Sequence, residues 1–167
     1  MSQTKKHKII ISGSKNVGKT TLITKLVARM AQQGMKVAVI KHDAHDFDCD
    51  MPGTDSHAYT QAGAYGAAVF SDHRMFVHRA GTGEREEELI RFFPDADVIF
   101  LEGFKASSAY PKIEVIRRGI STQLCSNPEG RFLIVSDMQP DEIGDRQGEP
   151  VLAYEQIDEI IAAILRN

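Results

Sequence analysis

Residues 13–20 read Gly-Ser-Lys-Asn-Val-Gly-Lys-Thr, the G-x-x-x-x-G-K-[ST] spacing of a loop that grips phosphate. The residue types fit that chemistry one by one. Gly13 and Gly18 free the backbone to curl, so that the amides of Ser14, Lys15, Asn16 and Val17 can point at one anion. Lys19 adds a cation within reach of β- and γ-phosphates, and the Thr20 hydroxyl is a hard oxygen of the kind Mg²⁺ takes. Thr21 completes the stretch at a helix start, where the positive dipole end favours negative charge. A glycine-bearing turn could match by chance. Here the motif is flanked by a strand, His7–Ser12, and a helix, as the mechanism requires.

Three further groups of residues could serve that loop. Val98–Leu101 is continuously apolar and ends on Glu102, which would bring a carboxylate for Mg²⁺ to the carboxyl end of a buried strand; a surface carboxylate that merely ends a strand is the alternative. Gly103 beside it would let a backbone N–H approach a terminal phosphate, and Lys105 follows as a possible switch or cofactor-binding residue. After a second strand, "KHDAHDFDCDMPGTDS" collects Lys41, His42, Asp43, His45, Asp46, Asp48, Cys49, Asp50, Asp55 and Ser56. That loop reads as a metal-binding tract, as a switch segment beside a nucleotide, or as a solvated acidic loop; its spacing fits no common zinc pattern. Lys41 is either a snorkelling lysine or an anion-binding group.

The positioning elements follow from periodicity. Leu22, Ile23, Leu26, Val27 and Met30 recur at helical spacing before a stop at Gly34. Residues 36–42 form a second buried strand, and a short helix covers Ser56–Ala62. Strands at 67–71 and 74–79 make a hairpin turning on Asp72–His73, and residues 84–93 are helical. Strands at 98–101, 112–117 and 132–136 and a helix at 155–165 complete the chain, with 137–150 as an internal linker rich in Pro, Gly and acidic residues. Strands alternating with helices predict an α/β, P-loop NTPase-like three-layer fold: a mostly parallel central sheet with an added antiparallel hairpin. The 167 residues suit one nucleotide-binding domain, 1–167.

Composition excludes several partners. Lys and Arg number 20 against 23 Asp and Glu, so 20 − 23 = −3 leaves no basic field to gather nucleic acid or anionic lipid. Only Ile9, Ile10 and Ile11 follow the basic N-terminus, too few for a signal-peptide core or a membrane span, which predicts a cytoplasmic protein. Cys49 and Cys125 lie far apart, with no disulfide or zinc framework.

"GSKNVGKTTL", "VIKHDAHDFDCDMPGTDSHAYTQAGA" and "LEGFKASSAYPKIEVIR" together resemble the molybdopterin-guanine dinucleotide biosynthesis adapter family, the MobB type of P-loop GTPase-like protein, over residues 8–137. The resemblance implies a GTP- and Mg²⁺-binding protein of molybdenum cofactor maturation, with weak GTP hydrolysis. It would assist the guanylyltransferase that joins GMP to molybdopterin, with molybdopterin itself a further possible ligand. It also implies a homodimer built through strands added to the central sheet. By position, Gly13–Thr21 would bind phosphates and Glu102 would sit at the metal, while Lys41, His42, Asp55 and Ser56 would belong to the motif after the second strand. No [NT]-K-x-D motif for reading guanine is present. Asp137, after a buried strand, could accept bonds from guanine N1–H and its amino group, or simply form a turn. A slow GTPase and a nucleotide-presenting adapter therefore both stand. Beside them stand a metallochaperone-type GTPase, kept open by the His/Cys/Asp loop, and a small-molecule P-loop kinase, for which Arg117–Arg118 is the nearest lid candidate.

Overall fold

The computed structural model describes residues 6–43, 49–81 and 86–167. The chain divides into two compact units, residues 1–42 with 90–167, and residues 43–89.

The larger unit is built on strands β1 (His7–Ser12), β2 (Val37–Lys41), β5 (Val98–Glu102), β6 (Lys112–Val115), β7 (Arg131–Val135) and β8 (Val151–Leu152). They form one sheet in the order β2-β5-β1-β6-β7-β8, with every pairing parallel. A strand with parallel neighbours on both sides is covered on both faces, which is why Ile9–Ile11 and Val98–Leu101 are apolar without alternation and fully buried. Helices α1 (Lys19–Gln32) and α4 (Ile157–Arg166) lay Leu22, Leu26, Met30, Ile160 and Ile164 against Ile9, Phe100, Val115 and Val135 on one face. Each such side chain is worth about 1.5–3 kcal/mol removed from water. On the other face Ile116, Ile134, Met138 and Ile143 form a second cluster.

The order also locates the crevice. From β1 the chain crosses to β2 at one edge, returns to β5 between the two, then passes over β1 to β6, β7 and β8 on the other side, so connections run to opposite sides of β1. Ligands in open α/β sheets bind outside the carboxyl ends of strands at such a point. The loop of residues 13–18 leaves β1 there.

The smaller unit holds α2 (Asp55–Gln61), capped by the Thr54 hydroxyl, which accepts from the His57 N–H at 3.4 Å. It also holds the hairpin β3 (Gly66–Phe70) and β4 (Met75–Arg79), paired antiparallel with Val69 opposite Phe76. The Ser71 N–H donates to the Arg74 carbonyl at 2.8 Å, closing the turn over Asp72–His73 as expected. Helix α3 (Glu86–Ile90) begins in this unit.

The predicted class is therefore observed: a parallel α/β sheet of the P-loop NTPase kind with a separate antiparallel pair. Three local expectations need correction. The strand expected at 112–117 ends at Val115, because Arg117 turns back to bridge Ser121. The expected linker at 137–150 instead buries Met138 and Ile143, contains a 3-10 turn at Pro140–Glu142 and leads into β8. The helix expected over 84–93 is assigned at Glu86–Ile90, residues 82–85 lying outside the described part; Pro94 disfavours helical backbone at Phe93.

Candidate functional site

Gly13 shows why its position admits only glycine. Its φ is +142°, and a Cβ there would lie 2.2 Å from the Val115 carbonyl oxygen. The loop must pass that close to β6 to turn upward. Asn16 (φ 64°) and Gly18 (φ 99°) are also left-handed, which curls the loop between them. Ser14 donates its hydroxyl proton to Ser121 Oγ at 3.1 Å, anchoring one side of the loop. Lys15 and Asn16 are exposed, Val17 is buried and Thr21 is exposed in the first turn of α1. Among the described residues no acceptor is seen for the backbone amides of Asn16, Gly18 and Lys19, while residues 15 and 16 form a turn. Those amides sit at a loop and a helix N-terminus, where such donors suit an anion.

Lys19 crosses the loop mouth, its Nζ donating to the carbonyls of Gly13 at 3.1 Å and Ser14 at 2.7 Å. Partial burial lowers its pKa, against the pull of Glu102; Lys105 and Lys41 push it further down, which places all four groups within one electrostatic neighbourhood. The Thr20 hydroxyl donates to Glu102 Oε1 at 2.9 Å, across the gap from α1 to the end of β5. Glu102 is only 7% exposed. Its strand position opposite Ile11 and Lys41 is set by the β1–β5–β2 register, so three carboxyl strand ends meet around one carboxylate. Two hard oxygen groups this close, one charged, fit Mg²⁺, which is held by one or two protein oxygens plus substrate phosphate.

The expectation that Gly103 offers its N–H to a phosphate is not met, because that N–H donates to the Ile11 carbonyl at 3.0 Å and extends the ladder. Glycine is needed there for another reason: φ is +102° and a Cβ would stand 3.2 Å from the His42 carbonyl. His42 itself donates its N–H to the Glu102 carbonyl at 3.0 Å and tilts its ring against Phe104 at 5.5 Å. Lys105 is exposed and its carbonyl is held by the Asn127 N–H at 3.0 Å. Asp137 is exposed past β7, with Oδ1 accepting from the Arg118 N–H at 2.8 Å.

Asp55 and Ser56 belong to the smaller unit. There Ser56 is buried and donates to Asp50 Oδ1 at 2.9 Å, and both residues help line a cavity of about 620 Å³ with Thr54, Val69 and Phe76. Of the acidic loop, residues 44–48, including His45, Asp46 and Asp48, lie outside the described residues. Among the described ones no three His, Cys, Asp or Glu side chains are placed to hold a metal.

Sequence reasoning missed two features. Tyr154, in the turn after β8, puts its hydroxyl 2.7 Å from the Val17 carbonyl and 2.9 Å from that of Ile116. Glu114, fully buried beside Ser12 in register, is held by the N–H groups of Cys125 and Ser126, by the Ser126 hydroxyl and by Arg131 at 3.6 Å. Arg131 also bonds Glu149 at 2.7 Å. A charged residue inside the apolar strand "KIEVIR" was the available signal for Glu114; a lone Tyr in a polar turn gave none.

Comparison with known proteins agrees with this geometry. The family model for molybdopterin guanine dinucleotide synthesis protein B (MobB) matches residues 8–137. The chain is 36% identical over 108 residues to the molybdopterin-guanine dinucleotide biosynthesis adapter protein of Escherichia coli K12, covering 61% of each. To the adapter protein of Haemophilus influenzae it is 29% identical over 117 residues, covering 68% of this chain and 65% of that one. The match thus spans a little under two thirds of the length of these relatives. In fold it resembles the crystal structure of Bacillus subtilis MobB, with a TM-score of 0.74 at 22% identity over 94% of this chain and 97% of that one. The phosphate loop, the Thr20–Glu102 pair and the flanking segments all fall within the matched residues, and the chain belongs to the MobB family of molybdopterin guanine dinucleotide synthesis proteins.

Proposed function

We propose that this chain is a GTP-binding adapter in molybdopterin guanine dinucleotide biosynthesis, hydrolysing GTP slowly and assisting the guanylyltransferase step in the cytoplasm. The observation that carries the reading is the 2.9 Å contact from Thr20 to buried Glu102 beside Lys19, on a loop of unengaged amides. That set would hold a triphosphate and Mg²⁺: Lys19 and the loop amides on phosphate, Thr20 and Glu102 on the metal. Bound there, Mg²⁺ would neutralise charge on the phosphate oxygens. Family membership and the named relatives support the pathway, the nucleotide-carrying role and molybdopterin as a further ligand. Asp137 stands at the end of β7, where a carboxylate would meet guanine. Lys41, paired with Glu102 in register, His42, whose N–H donates to the Glu102 carbonyl, and Lys105 are read as switch or cofactor-binding residues, and so, within the second unit, are Asp55 and Ser56. Residues 1–167 are read as a single nucleotide-binding domain.

Slow turnover is expected because the residues after Glu102, Gly103–Phe104–Lys105–Ala106, include no Gln or Arg to orient a water. The kinase alternative loses its lid candidates: Arg117 lies over the Tyr154 ring at 5.8 Å and Arg118 binds Glu142 at 2.6 Å. A homodimer is part of the proposal. Val69, Phe70, Met75 and Val77 of the hairpin are 49–81% exposed, more apolar surface than a strand pair left in water would carry. Phosphate release from Mg·GTP, alone and with a molybdenum cofactor guanylyltransferase, tests the reading. Binding with slow release, stimulated by that partner, is the expected result; absence of Mg·GTP binding would overturn it.

A further inference from the structure

Tyr154 stands outside every motif that pointed to the phosphate loop, yet it touches that loop at a peptide that matters. Its single hydroxyl proton bridges two carbonyls, Val17 at 2.7 Å and Ile116 at 2.9 Å, so it ties the loop to the end of β6 from a third element, the turn between β8 and α4. The ring packs beside Gly18, 3.5 Å from where a Cβ would stand, and the Arg117 guanidinium covers its face at 5.8 Å. The Val17–Gly18 peptide is trans, so its carbonyl and its N–H point in opposite directions. A carbonyl pinned outward onto Tyr154 turns the Gly18 N–H the other way, and that N–H is one of the amides with no acceptor among the described residues.

We propose that Tyr154 is a positioning residue for phosphate binding: by holding the Val17 carbonyl it aims the Gly18 amide into the anion cradle before nucleotide arrives. This deepens the nucleotide-binding reading above and rests on it. Preorganisation of this kind matters because a peptide free to rotate must be ordered at the moment of binding, and that ordering is subtracted from affinity. The hydroxyl is well suited to the task. Burial, with Asp137 next, pushes the phenol up to about 12, so it keeps its proton and remains a donor throughout the working pH range.

The test measures Mg·GTP and Mg·tripolyphosphate binding to the full chain by calorimetry. Tyr154→Phe keeps the ring and the Arg117 contact and removes only the hydroxyl. Affinity for both probes should fall by the same factor, roughly 3- to 10-fold, the size of one net hydrogen bond. Placing 3,5-difluorotyrosine at 154 makes the phenol more acidic; because the same burial and the same facing groups, Asp137, Arg117 and Glu155, act on it there, its titration is raised as well, and affinity should fall as pH rises through the mildly alkaline range while the native protein shows no such step until far higher pH. Unchanged affinity in Tyr154→Phe would overturn the proposal, including the case where only the melting temperature drops and Tyr154 is merely structural. A loss confined to GTP with tripolyphosphate unaffected would overturn it too, since that marks a contact to the base. Failure of the native protein to bind either probe would instead defeat the nucleotide-binding reading itself.

Discussion

Replacing Glu102 by Gln separates a metal-holding carboxylate from one that only ends a strand. The side chain is 7% exposed and takes one defined bond, from the Thr20 hydroxyl at 2.9 Å. Gln keeps an acceptor oxygen in the same place and nearly the same volume, so the Thr20 bond survives and stability should move by less than about 1 kcal/mol. What Gln cannot supply is charge. A hydrogen bond or metal contact made by an ionised group is worth about 1.5–3 kcal/mol, and each 1.4 kcal/mol is tenfold in affinity, so Mg·GTP binding should weaken by roughly 10- to 150-fold. In EDTA the carboxylate faces the nucleotide with no cation between them. Its loss should then leave GTP affinity unchanged or slightly improved, because one negative charge near the phosphates has gone. Calorimetric titration of both proteins with GTP, in Mg²⁺ and in EDTA, reads the difference directly. Equal losses under both conditions would refute the metal assignment, and a large drop in melting temperature would show that Glu102 is structural.

Lys19→Ala removes the cation that now bridges the Gly13 and Ser14 carbonyls, and should cost GTP binding about 2–4 kcal/mol while the circular dichroism spectrum stays native. Arg131→Met strips the shared partner from two buried carboxylates, Glu114 at 3.6 Å and Glu149 at 2.7 Å, and should destabilise the fold by about 3–5 kcal/mol in urea denaturation. The folded protein holds the Tyr154 proton more tightly than the unfolded chain, whose phenol titrates near 10. The stability this gives is complete below pH 10 and is lost as pH climbs to about 12, a fall that Tyr154→Phe should flatten in alkaline melts. Light scattering at micromolar concentration should return twice the 18.5 kDa chain mass, and Phe70→Glu on the exposed hairpin, 81% exposed as it stands, should return the monomer.

The sequence alone determined the parts whose signal is local. A loop of two glycines, a lysine and a threonine between a strand and a helix can be read directly, because the glycines, the cation and the helix start all act within eight residues. The fully buried strands were legible from unbroken apolar runs, and Glu102 from its place at the end of one. Signals weakened where geometry is set from elsewhere. β8 is two residues long and exists because β7 offers it an edge, so no periodicity announces it. The Gly103 N–H looked available for phosphate, but whether a donor is already engaged depends on the neighbouring strand, here the Ile11 carbonyl. Tyr154 lies 137 residues from Val17, and the buried ion network joins residues 114, 131 and 149. Contacts of that kind form only after parallel pairing has brought the carboxyl ends of several strands together. The chemistry of the grip was therefore written in consecutive residues, whereas its aim and its support were decided by which distant strands the sheet places side by side.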